Sequence, residues 1–318
     1  MDTHNGISSL LSEKAKALGF IAAGFSRPDR PPHIDHFYRW LSAGKYAEMS
    51  WLKRNLEIRE DPTKLLTGCR TILSLAYPYP SHKPGTPDGY SMARYSDPTE
   101  VDYHQRLKRL CREMCRMIEE MTPGSKTRVC VDSSPILERS LAYAAGIGFV
   151  GKNNMLIIPG YGSFFYLAEI VTTAFLEFPP VYPKDDGCGA CMSCVEACPT
   201  GALERPFQIN ASRCLSYMTI EYKGRFEEGI GRRMGDCFLG CDRCQEACPF
   251  NGDSSSREVL LPSTHEFLNM AFDEFKGRFG KTALARPGLE KIKRNIQAIQ
   301  TIPRSRRNGL ETQIKGLL

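Results

Sequence analysis

The sequence predicts a mixed α+β / α/β protein: an α/β domain over residues 1–180, a small cysteine-rich domain over 181–252, and a helical, basic region over 253–318. Three observations carry this prediction. Short apolar runs alternate with amphipathic stretches up to residue 180, as the strands and helices of a layered α/β domain do. A polar break, PPVYPKDDG at Pro179–Gly187, then interrupts the pattern. Two cysteine motifs follow it, and a second polar stretch, NGDSSSRE at Asn251–Glu258, closes them.

Taken in chain order, Ile7, Leu10, Leu11, Ala15 and Leu18 recur at helical spacing, and Gly19 is placed to end that helix. FIAAGF and TILSLAYPYP are short apolar runs closed by turn residues, the mark of buried strands. Between them FYRWLSAGKYAEMSWLKRNLEIREDP has helical punctuation. From His104 to Met121 one apolar stripe runs through Leu107, Leu110, Cys111, Met114, Ile118 and Met121, which makes Cys111 and Cys115 packing thiols. RVCVDSSPILERSLAYAAGIG predicts a strand, a turn at Asp132–Ser134, and a helix opened by Pro135 and closed by Gly146. The residues after Glu258 read as helical.

Composition narrows the chemistry. A chain of 318 residues, 42% hydrophobic and 25% charged, is ordinary globular material. Neither a basic-then-apolar leader nor an 18-residue apolar run is present, so a cytoplasmic protein without a membrane span is expected. Thirteen cysteines is a heavy load, and in a reducing compartment clustered cysteines are more often metal ligands or catalytic thiols than disulfides. The net charge of +6 is uneven: between Lys276 and Lys315 eleven Lys and Arg stand against two Glu, leaving the remainder slightly acidic. Such a stripe is either the footprint of a phosphate backbone or a solvated helix face.

Cys188, Cys191, Cys194 and Cys198 follow C-x2-C-x2-C-x3-C-P, the bacterial ferredoxin run, in which three thiolates hold one 4Fe-4S cubane and the fourth ligates another. The mate is GCDRCQEACPFN, where Cys241, Cys244 and Cys248 repeat the C-x2-C-x3-C-P half. Exchange of the terminal ligands groups Cys188, Cys191, Cys194 and Cys248 for one cluster, and Cys198, Cys241 and Cys244 for the other. The eighth ligand is Cys214 or Cys237. Zinc also suits C-x2-C pairs, but two C-x3-C-P endings are redundant for it. GIGFVG at Gly146–Gly151 spells G-x-G-x-x-G, yet a helix precedes it where a dinucleotide site requires a strand. These glycines are expected to end the helix, and no nicotinamide or flavin site is expected from them.

VDSSPILERSLAYAAGIGFVGKNNMLI, GSFFYLAEI, IREDPTKLLTGCRTILSLAYPYP, ARYS leading to DYH, and RCLSYMTIEYKG accompany the cysteine motifs. With these stretches the sequence resembles the epoxyqueuosine reductase family from about Glu13 to Asn295. The resemblance implies a cobalamin-binding α/β domain, a double 4Fe-4S ferredoxin-like domain and C-terminal helical repeats. It also implies a reaction, the last step of queuosine biosynthesis, in which the epoxide of epoxyqueuosine at the tRNA wobble position becomes the alkene of queuosine. Electrons would pass from a low-potential donor such as ferredoxin or flavodoxin, through the two clusters, to base-off cobalamin.

The family's proton donor falls on Asp132, which needs a raised pKa to act near neutrality, as burial against the corrin would provide. Arg59, Leu156, Leu167, Leu215, Cys241 and Asp242, with Asp132, match positions that line cobalamin. Lys223 matches one near the tRNA anticodon loop. The surroundings of Cys214, rather than those of Cys237, match the eighth cluster ligand. His104 is not carried over, because the family holds cobalamin without a protein histidine. A monomer is expected.

Two features depart from the family pattern. Cys237 stands where an aromatic residue and Gly usually precede the second motif, and little sequence follows RPGLEKIKRNIQAIQ, short of the full C-terminal repeats. The basic stripe is then the expected phosphate-directed feature. Two other readings compete: a reductase of a small molecule with the same cofactors, like the reductive dehalogenases, and a ferredoxin-like electron carrier. The first usually carries a twin-arginine export signal, and the second has no need of 180 residues before its clusters.

Overall fold

The structure, a computed structural model, describes residues 3–183, 187–252 and 256–301. The chain opens with helix α1 (Thr3–Ala17), strand β1 (Ala22–Ser26), helices α2 (Ile34–Ser42) and α3 (Leu56–Glu60), and strand β2 (Thr71–Pro78). Short strands β3 (Lys83–Gly85) and β4 (Ser91–Met92) lead to helix α4 (Tyr103–Met121), strand β5 (Thr127–Cys130) and helix α5 (Glu138–Ala144). Strands β6 (Phe149–Val150), β7 (Leu156–Ile157) and β8 (Phe165–Thr172) follow. The cysteine region holds α6 (Ser193–Glu196), β9 (Leu203–Arg205), β10 (Gln208–Ile209), α7 (Leu215–Ile220), α8 (Ile230–Met234), β11 (Cys237–Leu239) and α9 (Arg243–Glu246). The last described elements are β12 (Arg257–Val259), α10 (Thr264–Asn269), α11 (Phe272–Phe279) and α12 (Leu289–Gln300).

These elements form two compact units where the sequence suggested three regions. One comprises Met1–Tyr46, Ser50–Tyr79 and Tyr103–Ala190; the other comprises Ala47–Met49, Pro80–Asp102 and Cys191–Leu318. The C-terminal helices are not a separate region because they share a core with the cysteine-bearing segment. Phe238 of β11, Phe267 of α10 and Ile292, Ile296 and Ile299 of α12 are fully buried in one cluster.

The first unit is built on a four-stranded sheet of order β1-β2-β8-β5. Alternating strands and helices suggested an α/β layer, whose strands usually run parallel, yet every pair in this sheet is antiparallel. The connections are long enough to return the chain in either direction, so alternation alone does not set strand polarity. Burial alternates along β2 and β8 only in which face each residue serves, since both faces are covered. Leu73, Leu75, Ala168 and Ile170 are fully buried, and so are Ile72, Ala76, Glu169 and Val171. The stripe of α4 buries Leu107, Cys111, Met114, Cys115 and Ile118, so its thiols are core groups. Helix α5 begins at Glu138 rather than at Pro135, because tight turns from Val131 to Ile136 use up the intervening chain. It ends before Gly146, whose φ of 72° suits a residue without a Cβ. At Gly24 a Cβ would stand 2.3 Å from Ala145 O, and its absence lets the end of α5 lie on β1.

In the second unit a mixed sheet of order β11-β4-β3-β12 supports helices α10–α12. Helix α10 starts with a capping box, Ser263 and Glu266 each bonding the other's backbone N–H. Three members of the expected basic stripe serve as ties. Lys291 Nζ donates to Ile220 O at 2.6 Å, Lys293 Nζ to Met270 O at 2.9 Å, and Arg294 to Met218 O, Tyr222 O and Gly224 O, each at 2.9 Å. Arg304, Arg306, Arg307 and Lys315 lie outside the described residues. Among the described residues no helix is long and apolar enough to cross a membrane.

Helices α8 and α12 meet at Gly231, where a Cβ would stand 1.9 Å from Ala298 O. Gly231→Ala is expected to destabilise the second unit by about 1–3 kcal/mol, the usual cost of overpacking, read as a lower unfolding midpoint in urea.

Candidate active site

The first unit gathers its chemistry around the turn after β5. Val131 is buried, and Asp132 follows with a φ of 53°, a left-handed conformation costing an aspartate about 1–2 kcal/mol. Neighbouring groups hold it there. Ser133 N–H donates to Val131 O at 2.6 Å, Asp132 N–H donates to Glu138 Oε1 at 2.5 Å, and His104 Nε2 lies 2.8 Å from Asp132 Oδ2. His104 sits in the first turn of α4, whose start is fixed by Tyr103 stacking on Tyr166 at 4.5 Å and by Tyr166 meeting Tyr79 at 4.3 Å.

The Asp132 side chain is 38% exposed. Burial, then the Asp132 charge, push its neighbour Glu138 up to about 7. Deeper in the same unit, Glu169 is fully buried, and neither of its carboxyl oxygens has a hydrogen-bond partner. Burial holds it well above the usual carboxylate range, with a further contribution from Glu138.

Of the other expected cofactor residues in this unit, Arg59 lies in α3, 8% exposed, with Nη1 3.4 Å from Ile136 O and Nε unpartnered. Leu156 of β7 is buried in a cluster with Ala76, Ala142 and Phe165, and half-buried Leu167 of β8 packs against the same cluster. Leu215, Cys241, Asp242 and Lys223 belong to the second unit. There Leu215 is a core residue at the start of α7, Asp242 is 3% exposed, and Lys223 is exposed.

The cysteine motifs form two short helices, α6 and α9, that pack on each other and carry Cys194 and Cys244. Burial pushes the Cys244 thiol up strongly, and Cys241, Cys214, Cys194 and Cys198 push it further, so these five sulfurs occupy one neighbourhood. Cys214 in turn feels Cys198. Burial raises Cys198 too, but N–H groups of Leu203, Thr200 and Ala202 outweigh it and leave this thiol below its ordinary value. Cys191 and Cys248 belong to the same unit, and Cys188 falls in the last segment of the first. Cys237 is placed differently: its Sγ donates to Leu239 O at 3.5 Å and Gly240 O at 3.6 Å in β11. Among the described residues no three His, Cys, Asp or Glu side chains close on a point for a single metal ion.

Residues not assigned from the sequence complete the picture. Lys83 Nζ binds Glu246 Oε1 at 2.7 Å, and Arg94 N–H donates to Asp242 Oδ2 at 2.8 Å. Burial pushes Asp242 up to about 6 against the pull of Lys83 and the Arg94 N–H. Glu138 carried one signal, a place six residues after Asp132 at a helix start. Lys83 carried none, because nothing local marks a lysine that pairs 163 residues away.

Ferredoxin-type thiols together with a held carboxyl define an iron–sulfur oxidoreductase. Residues 187–251 match the 4Fe-4S double cluster binding domain, and residues 59–133 match the family described as Epoxyqueuosine reductase QueG. The epoxyqueuosine reductase of Pseudomonas aeruginosa is 32% identical over 93% of this chain and 87% of its own length. That of Escherichia coli is 33% identical over 92% and 80%. A crystal structure of epoxyqueuosine reductase with an epoxyqueuosine-modified tRNA-Tyr stem loop superimposes with a TM-score of 0.83 at 31% identity, covering 92% of this chain and 80% of that one. The chain belongs to the epoxyqueuosine reductase family.

Lys83→Ala is expected to leave Asp242 and Glu246 without their cation. The expected loss is about 3 kcal/mol, as for other buried pairs broken on one side, measured by chemical denaturation of the cluster-loaded protein.

Proposed function

We propose that this chain reduces epoxyqueuosine to queuosine in tRNA, with two 4Fe-4S clusters and cobalamin as cofactors and Asp132 as proton donor. The observation that carries this reading is the convergence of β5, α4 and α5 on one aspartate in a chain that also gathers the ferredoxin thiols. The solved relative bound to a tRNA stem loop supports tRNA as the substrate, and exposed Lys223 suits a phosphate contact. The enzyme would work as a cytoplasmic monomer supplied by a low-potential donor such as ferredoxin or flavodoxin.

The donor set fits both cofactors. Soft, closely grouped thiols suit iron–sulfur clusters, and we assign Cys188, Cys191, Cys194 and Cys248 to one and Cys198, Cys214, Cys241 and Cys244 to the other. Cys241 feels Cys237 ahead of Cys214, but Cys244 feels Cys214 and not Cys237, and Cys214 feels Cys198. The Cys237 thiol is engaged with backbone carbonyls, and together these contacts support Cys214. Cobalamin is fringed with amide carbonyls. Two buried donors without a partner, Arg59 Nε and Asn154 Nδ2, belong to residues tied to the 136–139 segment and suit such acceptors. Arg59, Leu156, Leu167, Leu215, Cys241 and Asp242 are the residues we assign to it.

When bound, the clusters supply electrons singly and cobalamin supplies them to the carbon losing oxygen. The protein's part is acid catalysis. Asp132 places its proton at the epoxide oxygen, His104 fixes the orientation of the carboxyl, and Glu138 holds the left-handed turn that presents it.

Single-turnover reduction of epoxyqueuosine tRNA, anaerobic with dithionite and cobalamin, is expected to yield queuosine. Asp132→Asn is expected to slow it by about 10²–10⁴-fold. No product from protein carrying both cofactors would overturn the tRNA assignment and point to a small-molecule substrate. Cys214→Ser is expected to lower bound iron from about eight atoms per chain toward about four, while Cys237→Ser leaves it unchanged. The opposite pattern would make Cys237 the ligand.

A further inference from the structure

The second cysteine motif carries charge inside its own ligand loop. Between Cys241 and Cys248 stand Asp242, Arg243 and Glu246, so both acidic side chains of the loop lie within two residues of a thiol. Asp242 is 3% exposed, and its Oδ2 accepts the Arg94 N–H at 2.8 Å. Glu246 ends α9, two residues after Cys244 and two before Cys248. Reduction of a thiolate-bound 4Fe-4S cluster adds one electron to a group that is already an anion, so enclosed carboxylates beside it oppose the step.

We propose that Lys83 offsets these carboxylates and thereby sets the reduction potential of the cluster that takes Cys241 and Cys244, an inference that rests on the cluster assignment made above. Lys83 comes from outside the motif. Its Nζ donates to Glu246 Oε1 at 2.7 Å, and its side chain is 10% exposed. The ammonium is delivered by a sheet: β3 pairs with β4 on one side and β12 on the other, and Lys83 N–H donates to Ser256 O at 2.9 Å. Burial works against a charge there, but Cys237, Glu246 and Asp242 outweigh it, and Lys83 stays an ammonium.

The same charge reaches toward the ligand side of the loop. Burial pushes the Cys237 thiol up to about 12, and Lys83 is the first charge that pulls it back. Cys241 is raised by burial and then by Cys237, so Lys83, Cys237 and Cys241 succeed one another within the second unit. The other cations nearby are placed to do less. Half-buried Arg243 turns its guanidinium onto Gly235. Arg94 donates from its guanidinium to Ser81 O, and its charge acts on Asp242 only after those of Lys83 and Glu246. Lys83 is therefore the cation whose loss changes the charge beside this loop most.

Redox titration of the cluster-loaded full chain, followed by electron paramagnetic resonance, tests this. Wild-type protein is expected to show two reductive waves, and the wave lost in Cys241→Ala marks the cluster in question. Lys83→Met keeps the length of the side chain without its charge. It is expected to move that wave to lower potential, with the reduced-to-oxidised ratio at the wild-type midpoint falling at least about threefold, well within what one unit charge does over about 10 Å at an effective dielectric of about 20. Glu246→Gln keeps an oxygen for the Lys83 ammonium and removes a negative charge, so it is expected to move the same wave to higher potential. A lysine that only holds the fold together would leave the potential of folded variants where it was. Unmoved waves in both variants overturn the proposal, and so does a shift confined to the wave that survives in Cys241→Ala. Should Lys83→Met fail to fold, Glu246→Gln decides alone. Iron-loaded wild-type protein without a reducible cluster would overturn the cluster assignment, and the proposal with it. Two wild-type waves that neither variant moves would overturn the proposal only.

Discussion

The eight-residue antiparallel ladder between β2 and β8 is the constraint on which the first unit depends. It runs from Thr71 opposite Thr172 to Pro78 opposite Phe165, and its register decides which side chains share a face. Because Ser74 stands opposite Glu169, and Glu169 opposite Cys130, a polar row is carried through an apolar sheet. A slip of one residue would send Glu169 to the other face and put an alanine or an isoleucine in its place. The same register presents Ile72 and Val171 to Leu141 of α5, and so fixes where the helix beginning with Glu138 lies. The acidic turn is thus an outcome of strand pairing.

Burial of charge recurs as the cost of both centres, and the two units meet it differently. In the second unit it is met by compensation, with Lys83 and the Arg94 N–H beside Asp242 and Glu246. In the first the carboxyls shift instead: Glu169 has no partner and burial holds it well above the usual carboxylate range, and Glu138 is pushed up to about 7. Ion pairing makes a rigid structural node.

The basic C-terminal stretch divides between structural ties and exposed charge. Lys291, Lys293 and Arg294 turn onto backbone carbonyls at the ends of α7 and α10, where helices leave acceptors unsatisfied. Their charge closes a helix–helix junction around Phe238 and Ile296, whereas Lys276, Arg278, Lys281 and Arg286 stay exposed.

Much of this protein is written in short-range pattern. The spacing of Cys188–Cys198 and Cys241–Cys248 is covalent, and ligand spacing is what a cluster reads, so the double-cluster domain was legible without coordinates. The stripe of α4 and the glycine end of α5 were legible for the same reason, since helical periodicity and positive φ are local properties. Tertiary structure alone decided that the sheet is antiparallel, that Pro80–Asp102 joins the second unit, and that His104 meets Asp132 across 28 residues. It also decided that Glu138 folds back onto Asp132 and that Glu169 sits unpartnered beneath α5. These depend on packing between segments distant in sequence, where strand register and loop closure choose the partners and the local pattern of polar and apolar residues is silent.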